Sequence, residues 1–293
     1  MKKILIEIII KLLSMLPLCV IRGIGCLVGD ISLKFSKRSA ARLRKNLLIT
    51  GLANPSNIDE MVRKTAHAQG MTLVEALLIA WRKDRKYIES LCNVDQDSFN
   101  LVNDALARGE RILFFTPHIG NFELALKYYL YNLPLDIKFL YKPSKNPIIN
   151  QIMLDGRKES NASPEPTNSK GVRTLMKHFQ DGGDIGILPD NVAAGGSGDW
   201  LKFFGQDVYA TTLAAKIYQQ YKPMTIIMQS IRTKKGFDMK FIQFKPTSVD
   251  THTLMQELYN ILEKMVLEAP EQYYWSYDRF RNVDNASPRP QAN

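Results

Sequence analysis

Residues 111–123 read RILFFTPHIGNFE, with His118 and Glu123 five positions apart. On one continuous helix that offset turns two side chains about 140° away from each other. The two could work together only if the backbone turns between them, and the surrounding residues predict such a turn. Arg111–Thr116 is a short apolar run rich in Phe and Ile, suited to a buried strand that ends before Pro117. Gly120 can take a positive φ. Asn121 is a good N-cap for a helix over Asn121–Tyr131, which places Glu123 in its first turn.

The rest of the chain continues this alternation. Further strands are predicted at Ile137–Tyr141, Asp184–Leu188, Met224–Ile231 and Phe237–Gln243. Helices are predicted over Pro147–Arg157, Lys170–Gln180, about Tyr209–Tyr221 and about Thr251–Glu268. Upstream, 31–50 and 58–92 read as helices, the second opened by the turn Asn54-Pro55-Ser56-Asn57. The glycines of Asn191–Gly198 make a flexible loop. Strands alternating with helices define an α/β fold, and the closeness of the two late strands predicts a mixed sheet flanked by helices. No repeat or linker interrupts it. The expected organisation is an N-terminal segment over 1–25, one domain over 26–284 and a disordered tail over 285–293.

The net charge of +10 is unevenly spread. Between Ile31 and Ile58 stand Lys34, Lys37, Arg38, Arg42, Arg44 and Lys45, with no acidic residue among them. Such a stripe suits a nucleic acid or an anionic membrane surface, or is a solvated helix face. The N-terminus favours the membrane over nucleic acid. Ile4–Ile21 is apolar except for Glu7, Lys11, Ser14 and Pro17, and follows Met1-Lys2-Lys3. As one helix it would reach about 27 Å, close to a hydrocarbon core of about 30 Å. Leu16-Pro17-Leu18-Cys19 lacks the small residues of a cleavage site. The segment is therefore expected to be an uncleaved anchor helix, shallow or spanning. Cys19, Cys26 and Cys92 have neither disulfide nor metal spacing.

A carboxylate that accepts the Nδ1 proton of His118 would fix its tautomer and leave Nε2 free to take a proton from a hydroxyl. G-x-S-x-G is absent, so the pair reads as a base acting directly on a substrate hydroxyl rather than on an enzyme nucleophile. The competing reading is a satisfied loop histidine beside a glutamate placed by the helix dipole. HEXXH is absent and His67, His178 and His252 lack partner spacing, so no metal is expected. The loop Asn191–Gly198 lacks the Gly-Lys-Ser/Thr of a P-loop, so no nucleotide cofactor is expected either.

HIGNFE over 118–123 resembles the His-x4-Glu motif of the late acyltransferases of lipid A biosynthesis, the lauroyl and myristoyl transferases of the lysophospholipid acyltransferase superfamily. The resemblance runs from the N-terminal segment to Arg281. Arg44-Lys-Asn-Leu47 resembles the family's R-x-N-L segment, and Glu75…Trp81 its next helix. Asp155-Gly-Arg157, Leu188-Pro-Asp-Asn191, Phe203-Phe-Gly205 with Thr211-Thr212, and Arg232 match further stretches in order. Pro270-Glu-Gln-Tyr-Tyr-Trp275…Arg279-Phe280 resembles the family's ending, although Ser276-Tyr277-Asp278 lacks its usual histidine and Arg279–Val283 its usual R-F-K-x-R-P. Asn191 stands for a usual Gln and Phe122 for a frequent Trp.

The resemblance implies transfer of an acyl chain from acyl carrier protein to a hydroxyl of a lipid A precursor, at the cytoplasmic face of a bacterial inner membrane. It implies His118 and Glu123 as the catalytic pair and places Gly120, Asn121, Arg157, Asp190 and Arg232 on the substrate side. Arg157 and Arg232 could each clamp a phosphate or form a structural ion pair, with Arg157 also a candidate oxyanion donor. Asp190 could align the site, bind sugar hydroxyls or cap a strand end. Two other readings remain open: acylation of another glycolipid or a lysophospholipid, and a non-enzymatic basic membrane-binding protein.

Overall fold

The structure is a computed structural model and describes residues 2–157, 159 and 161–290. It opens with four helices: α1 (Lys2–Ser14), α2 (Leu18–Phe35), α3 (Lys37–Ile49) and α4 (Ile58–Trp81). The expected anchor helix over 4–21 is thus two pieces. Pro17 lacks an N–H and sits at ψ 147°, which ends one helix and begins the next. Among the described residues no helix is long and apolar enough to cross a membrane. Instead Ile10 of α1 packs with Ile21, Leu78 and Ile152 in a small core, while Ile4, Leu5, Ile8 and Leu12 remain exposed. Helices α2 and α4 approach closely along Gly25, Gly29 and Gly70; a Cβ at Gly70 would lie 2.1 Å from the Gly25 carbonyl oxygen.

The helix expected over 58–92 also breaks. Asp84 accepts the Tyr87 N–H at 3.1 Å and so caps a new short helix, α5 (Arg85–Ser90). Strand β1 (Cys92–Val94) and helix α6 (Gln96–Ala107) follow. Next come β2 (Ile112–Phe115), α7 (Phe122–Asn132), β3 (Ile137–Tyr141), α8 (Pro147–Arg157), β4 (Ala162–Pro166), α9 (Ser169–Gln180) and β5 (Asp184–Ile187). The chain ends with a hairpin of β6 (Gly198–Phe203) and β7 (Gln206–Thr211), then α10 (Leu213–Tyr221), β8 (Met224–Arg232), β9 (Phe237–Phe244) and α11 (Thr251–Glu268). The hairpin takes the first residues of the helix expected over 209–221. Phe204 and Gly205 both have positive φ, as a two-residue turn matching strand twist requires.

Seven strands form one sheet in the order β1-β9-β8-β2-β5-β3-β4. Strands β8, β2, β5, β3 and β4 run parallel, and β9 and β1 run against them. The sheet is mixed, parallel-dominated and covered by helices. In β2 every residue is buried, because Leu113 and Phe115 join the core on one face and Ile112 and Phe114 the core on the other. Of the expected tail, residues 291–293 lie outside the described residues. The described part is tied down: Trp200 Nε1 donates to Ser287 O at 2.8 Å, and Arg289 donates to Asp207 O at 3.0 Å.

Candidate active site

In parallel register Phe115 of β2 lies opposite Ile187 of β5. Three residues beyond each partner stand His118 and Asp190, so the sheet itself delivers the two side chains to one point at the carboxyl ends of adjacent strands. His118 Nδ1 lies 2.9 Å from Asp190 Oδ1, and the His118 backbone N–H donates to Asp190 Oδ2 at 3.1 Å. Tyr273 Oη and Arg279 Nη2 donate to the same Oδ2, at 2.9 and 3.2 Å. Asp190 is wholly buried, whereas the His118 side chain keeps 20% of its surface. Burial alone drives the Asp190 carboxyl up, but the charges of His118 and Arg279 and the hydrogen bonds from His118 outweigh it. They hold the group well below the usual carboxylate range.

Glu123 does not take the Nδ1 proton as the motif reading expected. Among the described residues no hydrogen bond or ion pair joins it to His118. Glu123 instead accepts from Arg157 Nε at 3.1 Å and from Arg157 Nη2, so the guanidinium is held side-on at the first turn of α7. Pairing Glu123 with Arg157 leaves the carboxylate opposite His118 to come from β5. The Phe122 and His118 rings meet edge to face at 5.4 Å between centroids, and the Tyr274 ring lies 6.1 Å from His118.

Gly120 makes the predicted turn at φ +58°, and a Cβ there would fall 1.7 Å from the Ser230 carbonyl oxygen. Gly120→Ala should therefore cost at least about 2 kcal/mol of stability, measured by chemical denaturation. Asn121 caps α7 by accepting the Leu124 N–H at 3.0 Å and also donates to Glu75 at 3.3 Å. The turn is held on every side. Gly120 N–H donates to Gln272 O at 3.1 Å and Asn121 N–H to Ser230 O at 3.2 Å. The Thr72 hydroxyl donates to Gly120 O at 3.0 Å.

Arg232 is not placed as a phosphate clamp. Its side chain is 5% exposed and grips the buried Glu75 through Nε and Nη2, the latter at 2.7 Å. Arg22 of α2 reaches the same carboxylate at 2.8 Å. Two guanidiniums thus balance one buried carboxylate beneath the Gly120–Asn121 turn. Sequence reasoning noted Glu75, Tyr273 and Arg279 without giving them a part in the site. The only sequence signal for the His118–Asp190 contact is that each residue follows a buried apolar strand by the same interval, and that becomes informative only once β2 and β5 are known to be neighbours.

A histidine backed by a buried aspartate, with no serine or cysteine hydrogen-bonded to it among the described residues, has the geometry that acid–base chemistry on a substrate hydroxyl would need. That chemistry agrees with what the whole sequence shows. The chain belongs to the bacterial lipid A biosynthesis acyltransferase family, whose pattern matches residues 2–282, and it is an acyltransferase. It is 25% identical over 287 residues to the lipid A biosynthesis lauroyltransferase of Escherichia coli strain K12, covering 96% of this chain and 91% of that one. It is 22% identical over 275 residues to the palmitoleoyltransferase of the same strain, covering 91% and 86%. The same figures hold for a lipid A biosynthesis acyltransferase of Shigella flexneri.

Proposed function

We propose that this acyltransferase moves a fatty acyl chain from an acyl carrier protein thioester to a hydroxyl of a lipid A precursor, with His118 as general base. The observation that carries the mechanism is the Nδ1 contact to Asp190, which holds the imidazole with Nε2 directed away from the buried carboxylate. Nε2 removes the acceptor hydroxyl proton as the oxygen attacks the thioester carbonyl. Asp190 stabilises the imidazolium that forms. The tetrahedral intermediate then expels the thiolate, which takes the proton back from Nε2 and leaves as the carrier thiol.

The intermediate's oxyanion needs a donor. The backbone N–H groups of His118, Ile119, Gly120 and Asn121 are all committed, to Asp190, Pro117, Gln272 and Ser230. We assign that role to the Arg157 guanidinium, its orientation set by Glu123 through Nε and Nη2. Glu123 thus acts as a positioning residue for Arg157 in this reading. Arg157→Ala should lower kcat by about 10²-fold, and Arg157→Lys should recover only part of it because an ammonium lacks the side-on fork. An Arg157→Ala enzyme with unaltered kcat would remove the arginine from the chemistry.

Exposed apolar side chains on α1 and α2, among them Leu12 at 68% and Phe35 at 74%, support a shallow seat on the inner membrane's cytoplasmic surface. The charge of +10 favours approach of an acidic carrier protein. The purified protein, acyl carrier proteins bearing different chains and a lipid A precursor test the proposal together: mass spectrometry should show one added acyl chain on the precursor. Acylation of a lysophospholipid or another glycolipid, with the precursor unchanged, would replace the proposed acceptor.

A further inference from the structure

At the foot of α2, where the exposed Leu27, Ile31 and Phe35 end, an open cleft of about 460 Å³ is lined by Ser36, Arg38, Ser39, Arg42, Tyr277, Asp278 and Arg281. Three arginines face one aspartate. Arg42 pairs with Asp278 at 3.0 Å and donates to Ser276 O at 3.2 Å. Arg281 donates to the Asp278 carbonyl at 3.3 Å, and its guanidinium lies 5.7 Å from the Tyr277 ring. Arg38 has no ion-pair or hydrogen-bond partner among the described residues. The cleft is therefore net cationic, and it keeps one uncommitted guanidinium with two serine hydroxyls beside it.

The cleft is also joined to the catalytic base. Tyr277, on its wall, stacks on Tyr274 at 6.4 Å and 13° between planes, and Tyr274 lies 6.1 Å from His118. The segment is braced from below: Asn46 donates to Trp275 O and Tyr277 O at 2.7 and 3.0 Å, and the Tyr277 hydroxyl accepts the Val192 N–H. Tyr274 is 44% exposed. Between base and cleft thus stands a stacked tyrosine pair. Tyr277 lies 5.4 and 5.7 Å from the Arg279 and Arg281 guanidiniums, and the exposed Tyr274 ring is the part on which the apolar face of a sugar can pack.

We propose that this cleft binds a phosphate monoester carried on the sugar headgroup of the acyl acceptor, with Tyr274 supporting the sugar between the phosphate and His118. Guanidiniums recognise phosphate through paired, charge-assisted N–H donors, which a neutral headgroup cannot replace. The apolar stripe of α2 ends at the cleft, which places an acceptor's acyl chains in the bilayer while its phosphate reaches the arginines. This inference rests on the acyl-transfer reading of His118 and adds the acceptor feature that sets specificity.

The test uses the full chain in detergent micelles free of other lipid, with two acceptors: an acylated glucosamine disaccharide bearing phosphate monoesters, and the same lipid after phosphatase treatment. Wild type should show a KM at least about 10-fold lower for the phosphorylated acceptor. In Arg38→Ala and in Arg38→Ala/Arg281→Ala, both changes at exposed positions, that ratio should fall toward one through a rise in KM for the phosphorylated lipid. A ratio that survives both substitutions overturns the proposal. So does a ratio that survives while the variants lose binding to phosphatidylglycerol vesicles, since the cleft would then serve bilayer headgroups. If wild type acylates neither lipid, the acyl-transfer reading fails separately. Equilibrium binding of the same two lipids then decides the cleft: a phosphate preference abolished by the double substitution supports it, and equal binding by wild type overturns it.

Discussion

His118→Ala should lower kcat by about 10² to 10⁴-fold, the span that general-base catalysis contributes. The protein should remain folded, because the imidazole is one-fifth exposed and its removal leaves no buried cation unpaired. The loss should appear in kcat at saturating acceptor, with unaltered far-UV circular dichroism. Kinetics in which only KM rises would mean that His118 binds substrate and does not move the proton. Wild-type rates would remove it from the mechanism.

Asp190→Asn should strike both activity and stability. Oδ2 of Asp190 receives three donors, from the His118 backbone, Tyr273 and Arg279. An asparagine must put its carbonyl oxygen there and turn its NH₂ toward His118 Nδ1. The imidazole then carries its proton on Nε2 and cannot accept one from a hydroxyl. In serine proteases the equivalent Asp→Asn change costs about 10⁴-fold in kcat, and a fall of about 10³-fold or more is expected here.

The same substitution leaves Arg279 as a buried cation with no carboxylate, a loss of roughly 3 kcal/mol or more. Adding Arg279→Met should recover part of that stability but none of the activity, a coupling that a double-mutant cycle measures. The pH dependence has a definite sign. The folded-state pKa of Asp190 is depressed, so its stabilisation is fully present above the unfolded value of about 3.9 and fades as pH falls below it. The stability gap between wild type and Asp190→Asn should therefore shrink under strong acid, as the Asp190 carboxylate is protonated. Glu123→Gln provides the contrast, since it should weaken the hold on Arg157 and leave the imidazole tautomer alone. If Asp190→Asn retained wild-type kcat while Glu123→Gln abolished turnover, the assignment of Asp190 as the partner of His118 would be wrong.

Much of the scaffold is legible in the sequence because its signals are local. Ile137–Tyr141, Pro147–Arg157 and Thr251–Glu268 appear in the structure with the boundaries read from apolar periodicity. The turn at 117–121 follows from Pro, Gly and Asn, each of which constrains its own backbone. Where local signals are weak or conflicting, the reading departs from the structure. Strand β4 carries two prolines and little apolar patterning, and its place at the sheet edge lets it dispense with their missing N–H donors. The β6–β7 hairpin hides behind a glycine-rich loop whose composition suggests only flexibility. Pro17 breaks a long apolar run that hydropathy alone joins together, and Asp84 caps a new helix within the stretch 58–92 that reads as one.

The site divides along the same line. The sequence determined that His118 stands on a tight turn at a strand end and that Glu123 opens the following helix, because both depend on residues within a few positions. Only the tertiary structure decided which carboxylate faces the imidazole. That choice depends on β2 and β5 being parallel neighbours in a register that carries Asp190 across 72 residues to Nδ1. It depends equally on Arg157 occupying Glu123. The burial of Arg232 against Glu75 is likewise a matter of packing, since an arginine's charge is visible in sequence and its partner is not.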